Sequence, residues 1–140
     1  MNSGKVRFLW RRDGARRLIV EVPNPNFERG TLAEGVALFV QLRARLLLVS
    51  GHHRCASEVA SGCDGTTSVC EANRPYSISD PAHVVEDGFS KVHSRFSELY
   101  SDERVISLHG MSGGGLSVSN GTTQPVPQDS FHARLVPSSG

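Results

Sequence analysis

The sequence has 140 residues, a net charge of +1 and no basic run, which fits one domain and excludes the electrostatic footprint of a nucleic-acid-binding protein. No apolar segment approaches the ~18 residues that a membrane-spanning helix requires, and the N-terminal region lacks the apolar core of a signal peptide. The default expectation is therefore a cytoplasmic protein whose partners include neither a membrane nor a nucleic acid.

The first third of the chain predicts a hairpin, a loop and a helix. The apolar runs at residues 6–10 and 18–22 flank the turn sequence Arg12-Asp13-Gly14, a pattern that predicts two hairpin strands. Thr31-Leu32-Ala33-Glu34 matches a capping box, so we expect Thr31 to cap a helix that ends near Arg43. The residues that recur at helical spacing, and so form its predicted buried face, are Leu32, Val36, Phe39 and Val40.

A second buried strand and a long loop follow. Four consecutive apolar residues at positions 46–49 predict a strand buried on both faces. Residues 51–79 are polar, and a loop of this length in a compact domain is usually functional or disordered. Within this loop, Cys63 and Cys70 could close a small disulfide and leave Cys55 free; three ordinary thiols are the alternative.

The last third predicts a helix, one more strand and a tail. Asp80-Pro81 is typical of a helix start, and apolar residues spaced three and four apart continue to residue 99. The apolar run at 105–108 predicts a short buried strand. A strand-like run at 116–119 comes next, and we expect residues 123–140 to form a weakly structured tail of the same single domain.

This order of elements predicts an α/β fold, with a short, mostly parallel sheet and flanking helices. In such a fold the carboxyl ends of the parallel strands meet at one edge of the sheet, here called the carboxyl edge, where ligands bind. The residues that should collect there are polar: His52, His53, Arg54, Asp80, His83 and His109. The loop that contains Asn24, Glu28 and Arg29 should open at the same edge.

Histidines at this edge suggest a metal centre. Catalytic zinc uses three protein ligands and keeps one position open for water or substrate. We expect His53 and His109, which follow two buried strands, to be two ligands; the third is His83, Asp80 or Glu58, with His83 favoured. Polar residues that merely end a strand are the competing interpretation, and Asp80 can equally be a plain helix cap. His93 is expected to be a surface or boundary histidine.

A serine nucleophile is a separate possibility. Gly110-Met111-Ser112-Gly113-Gly114 matches the G-x-S-x-G elbow of serine hydrolases. That motif should be followed by a helix, whereas the next residues alternate like a strand. Only Asp129 and His132 remain downstream as acid and base, so we keep the serine mechanism as an alternative.

The two strand ends also resemble those of a known class. Zinc-dependent hydrolases of the phosphorylase/hydrolase-like fold carry strand-end segments that are similar to two segments here, Val49-Ser50-Gly51-His52-His53 and Val105-Ile106-Ser107-Leu108-His109. These hydrolases include zinc carboxypeptidases, N-formylglutamate amidohydrolases and N-acetylmuramoyl-L-alanine amidases. Because hydrolases of this fold continue with further strands, the resemblance implies an incomplete fold, either a fragment or a shortened relative.

A closer resemblance is to a group of uncharacterised bacterial proteins with segments E-x-P-H-P, G-x-H-R, S-D-x-A-H and L-H-G. The corresponding residues here are 21–25, 51–54, 79–83 and 108–110. Asn24 departs from this pattern, because a histidine is expected at its position.

The resemblance implies a metal-dependent hydrolase that cleaves an amide or peptide-like bond through zinc-activated water. His53, His83 and His109 would hold zinc, and Arg54 would bind a substrate carboxylate or the developing oxyanion. Asp80 or Glu58 would accept the water's proton, and Asn120 is assigned to substrate binding. A non-catalytic domain that binds a small ligand or a metal is the main alternative.

Overall fold

A computed structural model describes residues 5–71, 73–113, 117 and 119. The chain divides into two compact units, Met1–Gly110 and Met111–Gly140, and all of its described helices and strands belong to the first. The predicted tail and Asn120 lie outside the described residues, as do residues 116 and 118 of the predicted strand at 116–119. Within the described part of the chain, neither helix is long and apolar enough to cross a membrane.

The first unit is a mixed α/β structure. Its helices are α1 (Thr31–Gln41) and α2 (Gly88–Leu99). Its strands, in chain order, are β1 (Arg7–Trp10), β2 (Arg16–Val22), β3 (Ala44–Val49), β4 (Thr66–Thr67), β5 (Arg74–Pro75) and β6 (Arg104–Ser107). Four of the strands form one sheet in the order β1-β3-β2-β6, and β4 and β5 form a separate two-stranded ribbon.

The centre of the sheet is parallel. β2 pairs in parallel with both β3 and β6, whereas β1 pairs antiparallel with β3. The α/β class is therefore confirmed, with a mixed sheet. The predicted hairpin of β1 with β2 is wrong, because β3 lies between them. Since β3 is apolar on both faces, it gains more from an interior position than the half-exposed β1 would.

Alternate residues of β2 point to two different cores. Leu18, Val20 and Val22 pack with Phe39 of α1 on one face of the sheet. Ile19 packs on the other face with Leu46, Leu48 and Phe89, the last from α2. The side-chain period of two therefore places Glu21 on the α2 face, at the carboxyl end of the strand.

The N-cap residue and the buried face of helix α1 differ from those predicted. Gly30 is the N-cap residue, with a positive φ of 89°, and Thr31 is already helical, its hydroxyl donating to the carbonyl of Glu28 at 2.8 Å. Of the four residues predicted to be buried, Phe39 is buried, whereas three lie exposed: Leu32, Val36 and Val40. The reason is Gly35, whose missing side chain lets the helix approach the sheet closely.

Helix α2 begins later than the sequence predicts. Its N-cap is Asp87, which accepts from the Ser90 N–H at 2.7 Å, and residues 81–87 form turns and bends. Asp80 therefore does not cap a helix. Its side chain accepts from the Ala82 N–H and from Arg54, and the attraction of that buried arginine fixes its position.

The long loop is closed by a disulfide between Cys55 and Cys70, whose Cα atoms lie 5.4 Å apart. Cys63 is free and exposed, so the predicted Cys63–Cys70 pair is wrong. Sequence spacing does not show which cysteines meet; here the β4–β5 ribbon turns the chain back and brings Cys70 to the start of the loop.

We predict that Gly35→Ala destabilises the protein by about 1–3 kcal/mol, although alanine is the better helix former. A Cβ atom at this position would lie 2.5 Å from Cγ2 of Val22, a fully buried β-branched side chain that cannot swing away. Urea denaturation measures the loss.

The matched control is Gly62→Ala, because a Cβ atom added at Gly62 would have no atom of the other described residues, apart from its two chain neighbours, within 4 Å. The control should change stability by less than about 0.5 kcal/mol. If Gly35→Ala is as stable as the parent or more stable, helix α1 does not pack on the sheet at this distance.

Candidate functional site

The polar residues at the carboxyl edge come from four segments that follow or approach strand ends. Asn24 and Glu28 follow β2, Arg54 follows β3, and His109 follows β6. Asp80 stands at the end of the long loop. The parallel pairing of β2 with β3 and β6 brings these segments together, as the sequence predicts.

Arg54 joins two of these segments. Its Nε and Nη2 atoms donate to Oδ2 of Asp80 at 3.1 and 2.6 Å, and Nη1 lies 3.4 Å from Oε1 of Glu28. The side chains of Arg54, Asp80 and Glu28 are only 11%, 2% and 6% exposed. The guanidinium also lies over the ring of Phe27, 5.6 Å from its centroid. Buried charges of opposite sign thus hold the loops together.

Glu28 also contacts the segment after β6. Nδ1 of His109 lies 3.4 Å from the carboxylate, and the backbone N–H of Gly110 donates to Oε2 at 2.9 Å. Burial alone would raise the pKa of the Glu28 carboxyl. This effect is outweighed by the hydrogen bonds from His109 and Gly110 and by the charges of His109 and Arg54. The net result is a pKa below the ordinary 4.5. Glu28 therefore stays ionised at neutral pH.

Nitrogen atoms of three side chains approach Oε1 of Glu28, but none of them at a short hydrogen-bond distance. Nδ2 of Asn24, Nη1 of Arg54 and Nδ1 of His109 all lie 3.4 Å from it, beyond the usual hydrogen-bond length. Asn24 is fully buried, and its Oδ1 atom has no hydrogen-bond partner among the described residues. In a buried polar cluster it is unusual for a carboxylate oxygen such as Oε1 of Glu28 to have three nitrogen neighbours that are all distant. It is also unusual for an amide oxygen such as Oδ1 of Asn24 to lack a hydrogen-bond partner.

A second carboxylate–imidazole pair lies beside the first. Nδ1 of His93, on α2, lies 2.6 Å from Oε1 of Glu21, at the end of β2. Burial raises the pKa of the Glu21 carboxyl, and the hydrogen bond and charge of His93 only partly offset that rise. His93 and His109 both line an open cleft of about 240 Å³, together with Glu21, Pro23, Ser90 and Ser107.

The three histidines predicted as zinc ligands are not brought together. Nδ1 of His53 accepts from the Cys55 N–H, and its ring stands edge-on to Phe27. His83 stacks on Tyr76 with 3.6 Å between ring centroids. Burial lowers the pKa of His83; the charge of Asp80 opposes this lowering, and the charges of Arg54 and His109 add to it. No three His, Cys, Asp or Glu side chains among the described residues are grouped so that they could hold a metal ion.

The other predicted residues occupy different places. Arg54 and Asp80 are in the buried cluster, and both line a smaller cavity of about 90 Å³ with Glu58, which is an exposed loop residue. Ser112 is described but belongs to the second unit. Asn120, Asp129 and His132 lie outside the described residues, so the serine mechanism remains an alternative.

The long loop presents Arg54 through local hydrogen bonds. The hydroxyl of Ser79 donates to the carbonyl of Arg54 at 2.9 Å and accepts from the Ser57 N–H at 3.0 Å. Ser77 donates to the carbonyl of Ser57 at 2.8 Å, and the disulfide begins at the next residue after Arg54. The polar composition of the loop therefore serves to fix the backbone that carries the arginine.

Three residues of the site, Glu21, Glu28 and His93, were not predicted from the sequence to have a role in it. Glu28 was expected near the edge but received no role, and His93 was expected to be a surface or boundary histidine without one. A signal existed for Glu21, because a carboxylate in a strand that is otherwise apolar on both faces needs a partner. That partner, on a helix 72 positions later, cannot be identified from spacing.

Comparisons of the chain with models of protein families, with curated proteins and with solved structures found no match. A function must therefore be argued from the geometry at the carboxyl edge.

We predict that the stability of the wild type relative to Glu21→Gln falls as pH rises above about 4.5. Below that pH the carboxyl is protonated in both the folded and the unfolded state. As pH rises, Glu21 ionises in the unfolded state at a lower pH than in the folded state, because burial raises its folded-state pKa. Over that interval ionisation stabilises the unfolded state, so the unfolding free energy falls. Unfolding free energies from about pH 4 to about pH 7.5 measure the trend.

Glu34→Gln, on the exposed side of α1, is the control and should show no such trend. The trend should persist in a His93→Gln background, because burial is the main cause of the raised pKa. A relative stability that increases with pH would contradict this account of Glu21.

Proposed function

We propose that this chain is a metal-dependent hydrolase that cleaves an amide or peptide-like bond, with zinc bound at the carboxyl edge by Glu28 and His109. The observation that carries the proposal is the meeting of a buried carboxylate and a half-exposed imidazole, 3.4 Å apart, beside an open cleft. The amide class comes from the resemblance of residues 49–53 and 105–109 to zinc-dependent hydrolases. Glu28 replaces His53 and His83 in the proposed ligand set.

The charge of this edge favours a cation. Among the described residues, the buried carboxylates of Glu28 and Asp80 share the edge with one nearly buried guanidinium, that of Arg54. Charges of one sign in a partly desolvated cleft attract a counter-ion strongly. The loose contacts around Oε1 of Glu28 leave that oxygen without a close partner, which suits a ligand atom.

The donor set fits zinc in two of its three positions. A carboxylate and an imidazole are usual zinc ligands. The third neighbour is Asn24, at the position where the similar bacterial proteins carry histidine, and its orphaned Oδ1 is a harder and weaker donor than an imidazole. We therefore expect the native site to bind zinc more weakly than a site with two histidines.

The protein's own groups would then prepare the reaction. Zinc, when bound, lowers the pKa of a water ligand to about 7 and polarises the substrate carbonyl. Arg54 and the Gly110 N–H hold the Glu28 carboxylate in place. Because Arg54 already donates to Asp80 and Glu28, its part is to position these carboxylates, and the open cleft beside His109 receives the substrate.

A non-catalytic metal-binding or ligand-binding domain is the second candidate. The observation that favours it is Asn24, a fully buried amide at the position where the resembling bacterial proteins carry a histidine. Both candidates use the same edge of the sheet. They differ in whether a bound amide is turned over.

We predict that untagged protein binds about one zinc ion per chain in isothermal titration, and that His109→Ala and Glu28→Gln abolish this binding. Asn24→His should bind zinc at least about tenfold more tightly, because it supplies the missing imidazole. His52→Ala is the matched control for loss of a histidine near the edge and should bind zinc as the parent does.

The same variants are then tested for turnover on a panel of N-acylated amino acids and dipeptides, with product detection by mass spectrometry. Hydrolysis that a chelator removes would support the enzyme, and Asn24→His should raise it. Zinc binding with no hydrolysis by either protein would favour the binding domain. Absence of zinc binding by both the parent and Asn24→His would rule out the metal site.

A further inference from the structure

A hydrolase of this kind needs a group that accepts the proton of the attacking water, and the predicted bases are badly placed for it. Asp80 accepts two N–H groups of Arg54 and the N–H of Ala82. Glu58 is exposed and lines a different cavity. Neither lines the cleft that contains His109.

The Glu21–His93 pair does line that cleft. In the sheet, Glu21 is the partner of Ser107, the last residue of β6, and both side chains line the cleft with His109. Ile106 and Leu108 pack against the core on the α1 side. Glu21, Ser107 and His109 therefore point to the α2 side. On α2, Phe89 is buried in the core and His93 follows four residues later, on the same face of the helix.

The hydrogen bond fixes which nitrogen of His93 is available. Nδ1 lies 2.6 Å from the Glu21 carboxylate, so Nε2 is the nitrogen left for a reacting molecule. Glu21 is 5% exposed and sits in a central strand paired on both sides, whereas the His93 side chain is 39% exposed. A rigid buried carboxylate that orients a solvent-accessible imidazole is a common arrangement for proton transfer.

We propose that His93 is the catalytic proton-transfer residue of this cleft and that Glu21 is its positioning residue. The proposal rests on the proposed function and assigns the base of that same site. It also gives a reason for a carboxylate in the middle of a sheet, which is otherwise a costly residue to bury.

The proton balance is simple. As a water oxygen bonds to the substrate carbonyl carbon, Nε2 of His93 takes one of its protons. The tetrahedral intermediate then breaks its C–N bond, the electron pair leaves with nitrogen, and His93 returns the proton to that nitrogen. The net reaction is amide plus water to carboxylic acid plus amine, and Glu21 keeps its hydrogen bond to Nδ1 throughout.

The test uses ethyl dichloroacetate with metal-free protein, because an activated acyl group and a poor leaving group favour general-base attack of water by an imidazole over direct attack by the imidazole nitrogen. Here Nε2 takes the water proton, the ester C–O bond breaks, and the ethoxide that leaves with the electron pair takes that proton back from His93 as ethanol forms. We expect His93→Ala and His93→Gln to lower kcat at least about tenfold, and Glu21→Gln to lower kcat with little change in KM. His52→Ala should keep the parent rate.

Chemical rescue separates a catalytic imidazole from a structural one. Added imidazole should raise the rate of His93→Ala above the rate that the same imidazole concentration gives without protein, because the vacated space lies beside Glu21. The gain should be smaller in His93→Ala/Glu21→Gln. Circular dichroism and urea denaturation establish that the variants are folded. His93→Gln keeps most of the side-chain volume and serves if His93→Ala does not fold.

The outcomes distinguish this proposal from the proposed function. Ester cleavage that depends on His93, in a protein that hydrolyses no amide, would support the proton-transfer pair while the proposed function fails. Zinc-dependent amide hydrolysis that persists in His93→Gln would overturn the pair and leave the proposed function standing. An ester rate in the parent equal to that in His93→Gln would also overturn it.

Discussion

The carboxyl edge of this protein depends on one buried guanidinium. Arg54 contacts the carboxylates of Asp80 and Glu28, which lie in segments far apart in the chain, and all three side chains are nearly inaccessible to water. A buried carboxylate without a counter-charge is strongly destabilising, so neither loop could keep its position without the arginine. The serine hydrogen bonds and the disulfide of the long loop hold the backbone that delivers it.

The functional proposals follow from this arrangement. With Glu28 ionised and fixed, His109 has a carboxylate at Nδ1, and with Glu21 in the sheet, His93 has another. Both imidazoles then line the same cleft on the α2 face. One pair is suited to hold a cation and the other to move a proton. Asn24 weakens the proposed zinc site, because it places an amide where the resembling bacterial proteins carry an imidazole.

The sequence predicted the class of fold and the location of the site better than the contacts within it. Apolar runs located β3 and β6, and the carboxyl edge followed from their parallel order. Pairing was harder, because β1 and β2 are adjacent in sequence while β3 inserts between them. The apolar stripe through Val36 was overridden by Gly35, whose packing against Val22 sets the face of α1. The capping motif failed separately, because the Thr31 hydroxyl donates to the carbonyl of Glu28 and Gly30 is the N-cap residue. Glu28 and Glu21 were missed because their partners are 81 and 72 residues away.

The most direct test of the account is the unfolding free energy of Arg54→Met. We expect a loss of about 3–5 kcal/mol, because the change leaves buried carboxylates uncompensated, and a smaller loss in Arg54→Met/Asp80→Asn, where one charge is removed with its partner. Arg29→Met, in an exposed position of the β2–α1 loop, should change stability by less than about 0.5 kcal/mol. A loss below about 1 kcal/mol for Arg54→Met, or a double variant less stable than the single one, would contradict the central role of this ion pair.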